Sequence, residues 1–159
     1  MKSLSKLILV FASVLWGLNT SQAQIPSQKE KADKAEEIKR LIDEKNFVFK
    51  AVPEKDSSKV IAENGSKLPY VAVLRDTLIV NLSGQTKTDS VKFNGTAFGY
   101  RETRNKKGDW DIVIKPSTGM SDVKEMTLVV MPTGHASLRV IRSHGSPLSY
   151  VGYIKQEDY

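Results

Sequence analysis

Along most of this chain apolar side chains recur at every second position, in short runs separated by tight turns. Trp110, Ile112 and Ile114 form one series, Met126, Leu128 and Val130 a second, and Ala136, Leu138 and Val140 a third. Successive side chains of an extended strand point to opposite faces, so a period of two buries one face and leaves the other wet. Asn105-Lys106-Lys107-Gly108 leads into the first series, and Pro132-Thr133-Gly134 separates the second from the third. Parallel pairing needs a crossover of a dozen or more residues. Connections this short dictate antiparallel neighbours.

The same pattern predicts eight strands. The first holds Phe47, Phe49 and Ala51 on one face and Val48, Lys50 and Val52 on the other, and Pro53 ends it. Tyr70–Leu74 and Leu78–Leu82 read as a hairpin around Arg75-Asp76-Thr77. Phe93-Asn94-Gly95 is a turn signal. Further strands are expected over Phe98–Arg104, Asp109–Lys115, Lys124–Met131, His135–Ile141 and Ser149–Ile154. Residues 54–69 and 83–90 are polar connections. Eight antiparallel strands joined in sequence make a meander, and either a barrel or a sandwich accommodates it.

Ahead of the strands the period changes. Ala32, Ala35, Ile38, Leu41 and Ile42 lie at helical spacing among charged residues, which predicts one amphipathic helix over about Lys31 to Lys45. Earlier still, Lys2 and Lys6 precede the apolar run Leu7–Leu18. That run is too short to cross a hydrocarbon core of about 30 Å. With Ser21-Gln22-Ala23 behind it, it reads as a secretory signal cut after Ala23. The expected organisation is a signal over 1–23, a linker and helix over 24–45, and a β domain over 46–159.

Removing 23 of the 159 residues leaves 136, a length that suits one domain. There is no cysteine, which excludes disulfides, thiolate metal sites and cysteine nucleophiles. The net charge of +6 falls to +4 when Lys2 and Lys6 leave with the signal. This charge is mixed along the chain, without the basic stripe and stacking aromatics of a nucleic-acid binder.

Several stretches together resemble a family of secreted Bacteroidetes proteins, domain of unknown function 4251. They are Asn46-Phe47-Val48-Phe49-Lys50-Ala51, Arg75-Asp76-Thr77-Leu78, Val91-Lys92-Phe93-Asn94-Gly95, Leu128–Leu138 and Leu148–Ile154. After Leu82 the chain departs from the family pattern, where an aromatic, glycine-rich stretch is shortened to Ser83-Gly84-Gln85. The resemblance implies a lipocalin-like antiparallel barrel with an N-terminal helix, in the periplasm or at the outer surface. It brings no catalytic residues. It also makes Asp76-Thr77-Leu78 and Asp89-Ser90-Val91 resemble the O-glycosylation signal of exported proteins in that phylum.

No set of residues specifies a reaction. His135 and His144 stand at opposite ends of one strand and its turn, too far apart to share a zinc ion. Asp109 and Asp111 flank Trp110 at a spacing compatible with glycoside chemistry, but nothing in the sequence marks either as a general acid. A nucleophile elbow, a phosphate loop and a dinucleotide fingerprint are all missing from the sequence. No metal or cofactor is expected.

The aromatic residues offer more. Tyr70, Tyr100, Trp110, Tyr150 and Tyr153 come from different strands and are the candidate contact residues, since aromatic rings add contact area at modest entropic cost. The expected function is that of an exported, non-enzymatic β domain that binds another protein or an envelope component, with no nucleic acid partner and no membrane span after cleavage. A carrier holding a small apolar ligand inside the barrel is the alternative, and a glycan-acting hydrolase a more distant one. Intact mass of the exported product should show a chain beginning at Gln24. A full-length 17.7 kDa product would defeat the cleavage assignment.

Overall fold

The structure, a computed structural model, describes residues 27–52, 68–82, 90–117 and 122–156. The expected leader and its cleavage site, and most of the two polar connections, lie outside the described residues. So does Ser83-Gly84-Gln85.

A helix, α1 (Gln28–Asp43), precedes nine strands. These are β1 (Asn46–Ala51), β2 (Tyr70–Leu74), β3 (Thr77–Leu82), β4 (Val91–Gly95), β5 (Phe98–Arg104), β6 (Trp110–Pro116), β7 (Val123–Val130), β8 (His135–Arg142) and β9 (Leu148–Lys155). They form one antiparallel sheet in the order β4-β3-β2-β1-β9-β8-β7-β6-β5. The chain's first and last strands pair with each other, Val48 opposite Lys155 and Ala51 opposite Gly152.

The two edges of this sheet explain why nine strands stand where eight were expected. Direction alternates across antiparallel neighbours, so β4 and β5, at opposite ends of the order, run the same way. Only Thr96 and Ala97 join them. Two residues reach about 10 Å and cannot make a parallel crossover. Strands β4 and β5 are therefore successive halves of one kinked ribbon. Its first half bonds to β3 (Val80 opposite Phe93), its second to β6 (Tyr100 opposite Ile114). This covalent link draws the edges together, so the sheet is a nearly closed barrel rather than a sandwich. Phe93-Asn94-Gly95, read from sequence as a turn signal, belongs to β4, the first half of that ribbon, and the bend comes just after it.

About eight strand-widths give an interior just wide enough for side chains to fill. Phe47, Phe49, Val73, Leu78, Leu82, Ile112, Ile114, Met126, Leu128, Leu138 and Val140 are buried there in one cluster. Fully burying a side chain of this size contributes about 1.5–3 kcal/mol.

The helix seals one end. Ile38, Leu41 and Ile42 on α1 have no exposed surface and belong to the same cluster as the strands. The helix starts earlier than the apolar stripe suggests because Ser27 caps it. The Ser27 hydroxyl accepts from the Glu30 backbone N–H, and the Glu30 carboxylate accepts from the Ser27 N–H. That capping box satisfies two donors which would otherwise lack partners. At the other end Lys45 adopts φ 51, and its carbonyl accepts from the Arg75 N–H at 2.6 Å, tying the β2–β3 turn to the helix exit.

Two glycines make this packing possible. Gly134, at φ 87 in the β7–β8 turn, lies so close to the helix that a Cβ would stand 3.0 Å from Ile38 Cδ1. Gly152 faces inward on β9, where a Cβ would overlap the Lys50 carbonyl oxygen and approach Ala51 Cα to 3.0 Å. Gly152→Ala should destabilise the domain by roughly 1–3 kcal/mol in urea denaturation, as overpacking does. Gly99→Ala, where the nearest atom stands at 3.8 Å, is the control and should shift stability by less than about 0.5 kcal/mol. Equal effects at the two positions would contradict the close approach of β1 and β9.

Candidate functional site

Because inward positions are taken by the core, the alternate positions face outward and the registers place them in rows. Val48 and Ala72 among them are nonetheless buried, and the others form the outer wall. One row runs His135, Tyr153, Lys50, Tyr70, Asn81 and Lys92 across β8, β9, β1, β2, β3 and β4. Tyr70 and Tyr153 thus flank Lys50, each directly across from it. Around them Val151 is 70% exposed, Val52 53% and Tyr153 38%.

Charge is segregated on this wall. The six neighbouring strands β8, β9, β1, β2, β3 and β4 contain no Asp or Glu, yet they carry Arg139, Arg142, Lys155, Lys50 and Lys92. Carboxylates on strands occur only in β5, β6 and β7, as Glu102, Asp111 and Glu125. Glu125 is occupied by Lys115, 3.0 Å away. Among the described residues Lys50, Lys92 and Arg139 form no ion pair.

The five candidate aromatics do not form one site. Trp110 is buried in the core, its ring covered by the Arg104 guanidinium at 4.8 Å. Tyr150 lies opposite Leu138 and packs, half-buried, against the same core. Tyr100 also points inward, near the sealed end, with Lys45 Nζ 5.0 Å from its ring centroid. Only Tyr70 and Tyr153 stand on the outer wall, and the register brings those two together around Lys50.

Two hollows, both open, lie on the outside of the barrel. One, of about 480 Å³, spans β7, β8 and β9 and is lined by Thr127, Val129, Ser137, Arg139, Ser149 and Val151 among others. The smaller, of about 260 Å³, lies over Gly99, Arg101, Val113 and Lys115. Neither Asp109 nor Asp111 lines a hollow. Asp109 belongs to the β5–β6 turn. Its carboxylate accepts from the Asn105 amide at 3.3 Å, while the Asn105 side-chain oxygen accepts from the backbone N–H groups of Lys107 and Asp109. Asp111 faces outward from β6, beside Val129 of β7. His135 opens β8, and His144 lies two residues beyond its far end, in the β8–β9 turn. Gly145-Ser146-Pro147 is the β8–β9 turn, its Ser146 carbonyl held by the Arg142 guanidinium at 2.9 Å.

The family model described as Domain of unknown function (DUF4251) matches residues 29–154. The chain belongs to the DUF4251 family. A crystal structure of a DUF4251 family protein from Bacteroides eggerthii DSM 20697 superposes with a TM-score of 0.60. That match covers 82% of this chain and 92% of the other at 13% identity, so what the two share is the fold. No curated protein matches the chain.

What the aromatic reading of this DUF4251 chain missed is the placement of Lys50, Lys92 and Arg139 on neighbouring strands that carry no carboxylate. A signal for it stood in the sequence, as the carboxylate-free strings over 46–51, 70–74, 77–82, 91–95, 135–142 and 148–155. It becomes meaningful only once those segments are known to be neighbours.

The Tyr100 hydroxyl is buried without a hydrogen-bond partner of normal geometry. Burial foremost, then the negative Glu102 and Asp43, hold its proton on well above the ordinary tyrosine value of 10.0. Above pH 10 the unfolded chain releases this proton while the folded chain keeps it, so folded stability falls as pH rises through that range. Tyr100→Phe should be neutral or slightly stabilising at pH 7, within about 1 kcal/mol, because it removes an unsatisfied group. It should also flatten the loss of Tm above pH 10. A strongly destabilised variant with an unchanged alkaline profile would contradict this account.

Proposed function

We propose that this DUF4251 protein is an exported, non-catalytic binding module whose working surface is the outer wall of the barrel around Tyr70, Lys50 and Tyr153. Its partner is another protein or an envelope component. The observation that carries this reading is the row itself, two tyrosines around an unpaired lysine, amid exposed valines, on six strands free of carboxylate. Interfaces favour aromatic side chains that bury large area, and complementary charge steers the encounter.

Export rests on the leader-like first 23 residues, which the described residues do not include. No helix among the described residues is long and apolar enough to cross a membrane. The carrier reading needs an open lumen, whereas Phe47, Phe49, Ile112, Met126 and Leu138 occupy this one and both hollows are outside it. For hydrolysis of glycans a pair of carboxylates would have to face one cleft. Asp109 instead clasps a turn.

A photo-crosslinking residue at position 50, expressed in the native cells, should trap one discrete partner. The same probe at Glu102, on β5, should not. Tyr70→Ala combined with Tyr153→Ala should lower the crosslinked fraction at least tenfold while circular dichroism stays unchanged. Equal labelling at both positions, or turnover of substrates from a hydrolase panel by the purified domain, would refute the proposal.

A further inference from the structure

We infer that the 480 Å³ hollow over β7, β8 and β9 is a carboxylate-binding subsite centred on Arg139, and that its occupant is an acidic side chain of an extended segment in a partner protein. The inference deepens the binding reading and rests on it in one respect, that the outer wall is the working surface.

Arg139 sits in a built environment. Thr127 on β7 and Ser149 on β9 stand directly across from it on either side, in the same row. Side chains paired in this way have Cβ atoms about 4.5–5.5 Å apart, within reach of a single bound carboxylate. Next to this row, Val129, Ser137 and Val151 form another across the same three strands. A guanidinium flanked by two hydroxyl groups offers a fork of charged donors and two further donors, which suits a carboxylate. The valines of the hollow, Val129 and Val151, give apolar contact beside the charge. No carboxylate stands on β8 or β9, Glu125 on β7 is held by Lys115 at 3.0 Å, and among the described residues Arg139 has no ion pair of its own.

The distance to the next unpaired cation favours a peptide. Lys50 lies two strands from Arg139 and four residues further along, counting Ser149 to Tyr153 on β9. At about 4.8 Å per strand and about 3.3 Å per residue the two charges are roughly 16 Å apart over the surface. An extended peptide spans that distance in about five residues. Alternate side chains of an extended peptide face opposite ways, so acidic side chains four positions apart, about 13 Å, share a face. Given the reach of the two long cations, they would meet Arg139 and Lys50 together over exposed Val151 and Tyr153.

Fluorescence anisotropy tests this with the purified domain. The probe is a fluorescein-labelled ten-residue peptide of serine and valine carrying two glutamates four positions apart, on one face of the extended chain. A peptide with glutamines in their place is the control, and an oligogalacturonate of similar charge the competitor. The glutamate peptide should bind saturably at low ionic strength, at least tenfold tighter than the glutamine peptide. Arg139→Gln and Lys50→Gln should each weaken it at least tenfold, and Arg101→Gln, at the other hollow, should leave it unchanged. Absence of saturable binding up to millimolar peptide, equal binding of the two peptides, or indifference to Arg139→Gln would overturn the inference. Tighter binding of the oligogalacturonate would also overturn it, in favour of an acidic glycan. If crosslinking at position 50 still traps a partner in any of these cases, only the Arg139 subsite falls and the binding-module reading stands.

Discussion

Everything in this fold follows from a two-residue tether. Thr96 and Ala97 join strands that sit at opposite edges of the sheet and run in the same direction, so those edges must meet. A sheet so constrained has an inside of fixed size. The apolar alternation of each strand then has one place to go, and the buried cluster from Phe47 to Ile154 fills it. The ribbon that changes partner from β3 to β6 also removes most of the exposed edge that an open sheet would present to other chains.

A filled inside leaves the outward positions as the ones able to vary. Once the core has claimed alternate positions, the remaining ones are free to differ, and here they differ by charge. Six adjacent strands exclude acidic residues while the other three hold them. The core does not demand this, because outward residues touch it little. The helix and its C-cap also carry acidic side chains, balanced locally by Lys34–Glu37, Lys39–Asp43 and Arg40–Glu44 pairs. Its closing role depends on Ile38, Leu41 and Ile42, not on those exposed pairs, which stabilise little in water.

Much of the architecture was legible in the sequence because local pattern and tertiary demand agree. Trp110-Ile112-Ile114 and Ala136-Leu138-Val140 alternate and are buried as the alternation requires. The reading went astray where local chemistry has two uses. Asn94-Gly95 is a turn dipeptide, but here it ends a strand half just before the ribbon bends. The first helical turn lacks an apolar stripe, and only the Ser27 and Glu30 pair announces it. The site was less legible for a different reason. A tyrosine in an alternating run belongs inside or outside according to strand parity, and the aromatic residues were collected without regard to it. Parity sends Trp110 and Tyr150 inward, and Tyr70 and Tyr153 outward. The hollow around Arg139 has no signature at all along the chain, since Thr127, Arg139 and Ser149 meet only through pairing.

Strand β1 bonds to β2 on one side and to β9 on the other. Its second neighbour is therefore the last strand of the barrel to be made. Until then Phe47 and Phe49 have half their final surroundings, and the wall is a curled sheet with an open flank. Folding of this kind joins parts far apart in sequence and carries the loop-closure entropy of nearly the whole domain, which places it among slowly folding topologies. Closure therefore waits until every strand of the domain has been made.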